Sequence, residues 1–276
     1  MSREAEINFV NGRRPKENDD RDWKVSEILN GTHLERLTGT DLDKSLVAVL
    51  KSGWTSAALK QWAKEITQAV KDLQKVPTPT PTPTPTPIPT TPIVRWKAPT
   101  ILDQGQTPHC VGFTGADFIG DEPVLSEVNN ALGDALYYEC KIIDGEAGQE
   151  NGSDMRSIGK VLKNRGRIDA YAFAVTVDEI RTWVRTNGPV LMGTNWYNSM
   201  FHPDPRGMIS IAGSIAGGHA WSIIGHDATP DIAAPWIAQN HWGTNWADKG
   251  FFYFDDNTLS RLLSEQGDAL VTMELP

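Results

Sequence analysis

Between Pro77 and Pro92 the chain reads as an almost unbroken alternation of threonine and proline. Each proline fixes φ and removes a backbone donor, so neither a helix interior nor a central strand can run through this stretch. The expected conformation is extended polyproline II, a semi-rigid strut of roughly 50 Å at about 3.1 Å per residue. A chain carrying such a strut must fold as separate units on either side of it. Residues 1–76 and 93–276 are therefore read as distinct modules joined by a 77–92 linker.

Residues 1–76 begin with a polar head, charge-rich from Arg13 to Lys24, and continue into a helical tail. Leu46, Val47, Val49 and Leu50 suggest a short helix, which Ser52-Gly53 interrupts. After it, Leu59, Trp62, Ile66, Val70 and Leu73 recur at spacings of three and four and so share one face. The expectation is an amphipathic helical hairpin with a thin core, which either packs on something else or is only marginally stable. It is read as a docking module for a partner, in preference to a prosegment.

Residues 93–276 are long enough for a sizeable core. Their first half is expected to be helical: Phe113 to Gly120, Val124 to Ile143 with Leu125, Val128, Leu132, Leu136 and Cys140 along one stripe, and Met155 to Asn164. Their second half is expected to form strands at Val190–Met192, Ala220–Ile224, Trp236–Ala238 and Gly250–Phe254. Helices first and strands second make an α+β arrangement.

The net charge of −9 and a pI near 5.2 argue against a general nucleic-acid binder and against an anionic membrane surface as partner. No apolar run is long enough to span a bilayer, and Met1-Ser2-Arg3-Glu4 opens no secretory signal, so a soluble, cytoplasmic protein is expected. The only cysteines are Cys110 and Cys140, and if Cys110 is a free nucleophile the fold is disulfide-free.

Two runs carry the chemistry. Asp103-Gln104-Gly105-Gln106-Thr107-Pro108-His109-Cys110 places an amide six residues before a thiol at a helix start. Far downstream come Gly217-Gly218-His219-Ala220 and Gln239-Asn240-His241-Trp242-Gly243. Together they offer a nucleophile in Cys110, a base in His219, an amide in Asn240 to orient that base, and an oxyanion donor in Gln104, the set needed for acyl transfer through a cysteine. No metal-ligand spacing is present and no cofactor is implied. Cys140, on its apolar stripe, is read as buried packing. His33, His109, His202 and His226 are read as surface or core fillers, and His241 as facing solvent.

In this order, from Gln104 and Cys110 through Gly-Gly-His-Ala to Asn-x-Trp-Gly and Gly250-Phe251-Phe252, residues 96–275 resemble the papain family of cysteine peptidases. The run Gln-Thr-Pro-His-Cys-Val-Gly-Phe is closest in feel to papain-like proteins of bacteria and bacteriophages. The resemblance implies a papain-like two-subdomain fold, a helical half and an antiparallel β-barrel-like half with the active site in the cleft between them. It implies a peptide or protein substrate, catalytic Cys110, His219, Asn240 and Gln104, and substrate contacts from Gly152, Ser153, Gly218 and Trp242. The sequence departs from the family at Val111, where tryptophan usually follows the nucleophile, at His241, where serine is usual, at the 152–153 loop, which lacks the double glycine, and in having no family disulfides. Hydrolysis of a non-standard amide such as a cell-wall peptide, and an inactive peptide-binding role, are the alternatives.

Overall fold

The computed structural model describes Trp23–Lys24 and residues 91–273. The expected helical hairpin and the Thr-Pro run before Thr91 lie outside the described residues.

The elements run β1 (Trp23–Lys24), β2 (Ile93–Arg95), α1 (Cys110–Gly120), α2 (Asn130–Ile143), α3 (Met155–Asn164), β3 (Ala170–Ala174), α4 (Val177–Thr186), β4 (Val190–Tyr197), β5 (Ile215–Asp227), β6 (Trp236–Gln239), β7 (Phe251–Phe254), α5 (Asp256–Ser264) and β8 (Asp268–Met273). The strands make an eight-stranded sheet in the order β1-β3-β8-β4-β5-β6-β7, with β2 pairing β5 off this path. All pairings are antiparallel except β1 with β3. Three successive helices ahead of most of a largely antiparallel sheet, with α4 and α5 set between its strands, make the α+β arrangement expected.

Every residue of α1 is buried. It packs against α2, α3 and the long central strand β5. Its approach to α2 depends on Gly112, where a Cβ would fall 2.3 Å from the Gly133 carbonyl oxygen and 2.4 Å from the Tyr137 nitrogen. Phe113, Phe118 and Ile119 from α1 meet Leu136 and Cys140 from α2, Ile158 and Leu162 from α3, and Leu191 and Leu270 from the sheet. Each of the large side chains contributes about 1.5–3 kcal/mol on burial. The core thus lies between the helical layer and the sheet and holds α1 in place from all sides.

The start of α2 corrects the sequence reading. The helix begins at Asn130 instead of Val124, because Pro123 has no N–H to give, Leu125 takes φ 51°, and the Asn129 side chain caps by accepting from the Leu132 nitrogen. The predicted stripe survives as buried Leu136 and Cys140, while Leu125 is exposed. α3 keeps its predicted bounds, with Asp154 accepting from the Ser157 nitrogen at its N-terminus.

Candidate active site

Cys110 opens α1 and is fully buried, with the helix dipole directed at it. The loop before it is wound tightly: Asp103 Oδ1 accepts from the Gly105 nitrogen (2.9 Å), and the Gln104 carbonyl accepts from Thr107 Oγ1 (2.8 Å). Gln104 Nε2 donates to the Thr107 carbonyl (2.7 Å). An amide NH2 carries two hydrogens in one plane, so this bond sets the direction of the second.

His219 lies on β5, opposite Thr194 of β4, and Asn240 directly follows β6. His219 Nε2 is 2.9 Å from Asn240 Oδ1. The same Oδ1 accepts from the peptide N–H of His241 at 2.9 Å, which identifies the atom as the amide oxygen and places the His219 proton on Nε2. Nδ1 is then left with its lone pair, buried and without a hydrogen bond among the described residues. Burial first, and His241 second, hold the imidazole well below its ordinary pKa, with the Asn240 bond opposing. Such a ring gains a proton only where a counter-charge forms beside it. The half-buried Trp242 ring lies 4.7 Å from that of His219 and stacks on Phe201 at 5.5 Å, while Trp196 approaches His219 edge-on at 4.9 Å. These rings cover the His219–Asn240 bond from water. Gly218, beside His219 on β5 and opposite Asn195, is partly exposed.

The two sequence runs are stitched together through the backbone. The Gln104 nitrogen donates to the His241 carbonyl (2.9 Å), Gly243 donates to Leu102 (2.9 Å), and Asp103 bridges Trp242. His241 does not face solvent, a correction to the sequence reading: it is fully buried, with Nδ1 2.8 Å from Asp117 Oδ2, one helical segment beyond Cys110. Burial pushes His241 down to about 3, against the pull of Asp103 and a backbone bond, and raises the Asp117 carboxyl well above its usual range. One proton shared between two otherwise neutral groups is the state that burial favours. His241 thereby touches three parts of the site at once: its N–H holds the Asn240 oxygen, its carbonyl holds Gln104, and its ring holds α1.

Gly152 and Ser153 are both buried, on the loop between α2 and α3. The Gly152 N–H donates to the Tyr137 hydroxyl (3.3 Å) and its carbonyl accepts from Lys141 Nζ (2.8 Å), so both of its peptide groups are engaged inside the loop. Ser153 Oγ donates to Asp144 Oδ2 (2.9 Å). Lys141, which sequence reasoning passed over, is fully buried and also binds Glu146 (2.5 Å) and Asn151 (2.6 Å). Cys140 is buried and its thiol is raised well above the usual value by desolvation, as its apolar stripe suggested. His109 and His226 are more than fillers: His109 is gripped by two carboxylates, and His226 is buried beside Arg181 and Trp236.

A cysteine heading a buried helix, with an imidazole and its orienting amide on adjoining strands of an antiparallel sheet, defines the papain-like architecture. The comparisons agree. A family model described as "Papain family cysteine protease" matches residues 137–266, a span that contains His219 and Asn240 and begins after Cys110. The curated "Cathepsin B-like cysteine proteinase 5" of Caenorhabditis elegans is 33% identical over 84 residues, 30% of this chain and 24% of the relative. The "Gut-specific cysteine proteinase" of the same organism is 33% identical over 85 residues, 31% of this chain and 26% of the relative. The chain thus matches about a quarter of the length of these relatives. Among solved structures, xylellain, a cysteine protease from Xylella fastidiosa, superposes with TM-score 0.55 at 18% identity, covering 67% of this chain and 87% of that one. Residues 137–266 thus match the papain-family model, and the described residues have a papain-like fold.

Proposed function

We propose that the chain is a cysteine endopeptidase that hydrolyses peptide bonds through a thioester acyl-enzyme. The observation that carries this reading is the His219–Asn240 bond at 2.9 Å, which leaves Nδ1 as the only basic atom of a buried ring. In the first step the Cys110 thiol passes its proton to Nδ1 as sulfur bonds to the substrate carbonyl carbon. The thiolate, at the positive end of α1, supplies the counter-charge that makes His219 protonation favourable. The oxyanion is stabilised by the Cys110 N–H and the Gln104 amide. Collapse breaks the C–N bond, the amine leaves with the proton from Nδ1, and a thioester remains. Water then adds to the thioester with His219 as base, releasing the acid and restoring the thiol. Trp242 shields the His219–Asn240 bond, and Gly218 lines the substrate side of β5. With the Gly152 peptide groups engaged, extended pairing with the substrate falls to Ser153.

That engagement also supports a second reading, in which the substrate is a non-standard amide such as a cell-wall peptide that needs no extended pairing. Parallel assays on protein and peptidoglycan substrates separate the two. Residues 1–76 are proposed to dock a partner, and the protein to act in the cytoplasm. Among the described residues no helix is long and apolar enough to cross a membrane.

An epoxide-class thiol-protease inactivator, followed by peptide mapping, tests the reading. Stoichiometric label on Cys110 and none on Cys140 is expected; no label on Cys110 under reducing conditions would exclude a working nucleophile. Replacing Gln104 with alanine is expected to lower kcat about 10²-fold with KM little changed, because the lost donor acts on the transition state. Steady-state kinetics on a fluorogenic peptide reads both.

A further inference from the structure

His109 immediately precedes the nucleophile, and its ring is buried against Tyr137, with centroids 4.0 Å apart, and edge-on to Tyr138 at 5.3 Å. Nδ1 is 2.7 Å from Asp134 Oδ1 on α2, and Nε2 is 2.6 Å from Glu150 Oε2. A neutral imidazole has a single N–H. With both carboxylates ionised, one of these short contacts would set lone pair against lone pair, so the arrangement is satisfied by the imidazolium, which donates to both.

The two carboxylates belong to different parts of the molecule. Asp134 sits on a helix fixed in the core, whereas Glu150 leads directly into Asn151, Gly152 and Ser153. Glu150 Oε1 also accepts from the Tyr138 hydroxyl (3.2 Å), and the Gln149 carbonyl accepts from the Tyr137 hydroxyl (3.0 Å). The groups facing the ring are thus Asp134, Tyr137 and Tyr138 from α2 and Glu150 from the loop, with Cys110 next in the chain.

We propose that His109 is a positioning residue of the cleft edge, holding Glu150, and with it the loop through Ser153, while its ring is protonated. When the ring loses its proton one N–H remains for two carboxylates; in this proposal it stays on Nδ1 with Asp134, on the helix fixed in the core, so the Nε2–Glu150 contact is lost and the 149–153 segment loosens. His109 is the N-cap of the nucleophile's helix and its ring packs on α2, so the latch ties the substrate-binding loop to the residue before Cys110. Its effect on substrate handling rests on the peptidase reading; its effect on the loop does not.

Glu150 is the position to vary, because its side chain is 49% exposed and its replacement leaves the core intact. An E150Q side chain pairs with a neutral or a charged ring alike. In the full chain, hydrogen exchange of the 149–152 peptide is compared between wild type and E150Q at each pH, alongside an NMR titration of the His109 ring. Wild type is expected to exchange about tenfold more slowly while the ring is protonated than after it has titrated, the size expected for one charge-assisted hydrogen bond, whereas E150Q exchange stays flat through the same interval. KM for a peptide should rise over the same interval in wild type, with kcat held, and stay flat in E150Q. An H109Q chain should show the loosened loop at every pH. Loop exchange that ignores the ring's titration, or a ring found neutral while the loop stays protected, would overturn the proposal. If no peptide is cleaved at all, the peptidase reading fails and the exchange data still decide the latch.

Discussion

Replacing Cys110 with alanine is expected to lower kcat/KM for peptide hydrolysis by at least about 10⁴-fold, with a thermal midpoint within a few degrees of wild type. The activity falls because the other members of the site do not attack the carbonyl themselves. In the proposed mechanism His219 relays a proton, Asn240 orients His219, and Gln104 stabilises charge. Cys140 offers no substitute, since it is fully buried on α2 and desolvation keeps its thiol protonated. The fold is retained because Cys110 and alanine are similar in size and the position is enclosed by α1's own packing against Leu136 and Ala220. The comparison also discriminates between readings. An inactive peptide-binding relative would give equal peptide affinity and equal, negligible turnover in both chains; a peptidase gives turnover in wild type only.

The site was legible where its signals were local and obscure where they were distant. The Gln104–Cys110 spacing and the Gly-Gly-His and Asn-x-Trp-Gly runs each lie within a few residues, and the expected helix from Met155 to Asn164 matches α3 at both ends. The α4 helix was missed although a capping box, Thr176 with Glu179, precedes Ile180, Trp183 and Val184 in the sequence. That signal was present and unused. His241 and His109 are different, because their partners stand 124 residues away at Asp117 and 25 and 41 residues away at Asp134 and Glu150. Periodicity tells which face of an element is buried. It says nothing about which polar group on another element will be waiting there. The clearest sequence hint at His241 was its departure from the family's serine, and the structure answers that departure with Asp117, a buried carboxyl on α1 whose Oδ2 lies 2.8 Å from the His241 ring.

Lys141→Met is expected to destabilise the chain by about 3–5 kcal/mol, the usual cost of removing one partner from a buried ion pair. For a unit of this size that corresponds to a midpoint lower by on the order of 10 °C. Methionine fills the same space, so the change isolates the lost charge and donors from any loss of packing. Wild-type Nζ donates to Glu146, Asn151 and the Gly152 carbonyl, and lies 3.6 Å from Asp144, which also accepts from Ser153 and Ser157. One buried ammonium therefore gathers the whole 144–153 loop onto α2, in a loop where the family's covalent staples are missing and where Cys140 next to it has no disulfide partner. Removing it leaves the nearly buried Asp144 carboxylate without a cation and frees the Gly152 carbonyl, so the cleft edge should loosen as well as the fold. Two measurements separate these effects. Calorimetry reads the midpoint, and limited proteolysis at a temperature well below it should show cleavage within 144–153 in Lys141→Met and an intact loop in wild type. Reductant should change neither chain, because the staple is electrostatic, and its burial should leave the wild-type loop protected in molar salt where a surface ion pair would be screened. A variant with an unchanged midpoint and a protected loop would show that Lys141 is a passenger in that loop and that the Tyr137 and Asp144 hydrogen bonds hold it unaided.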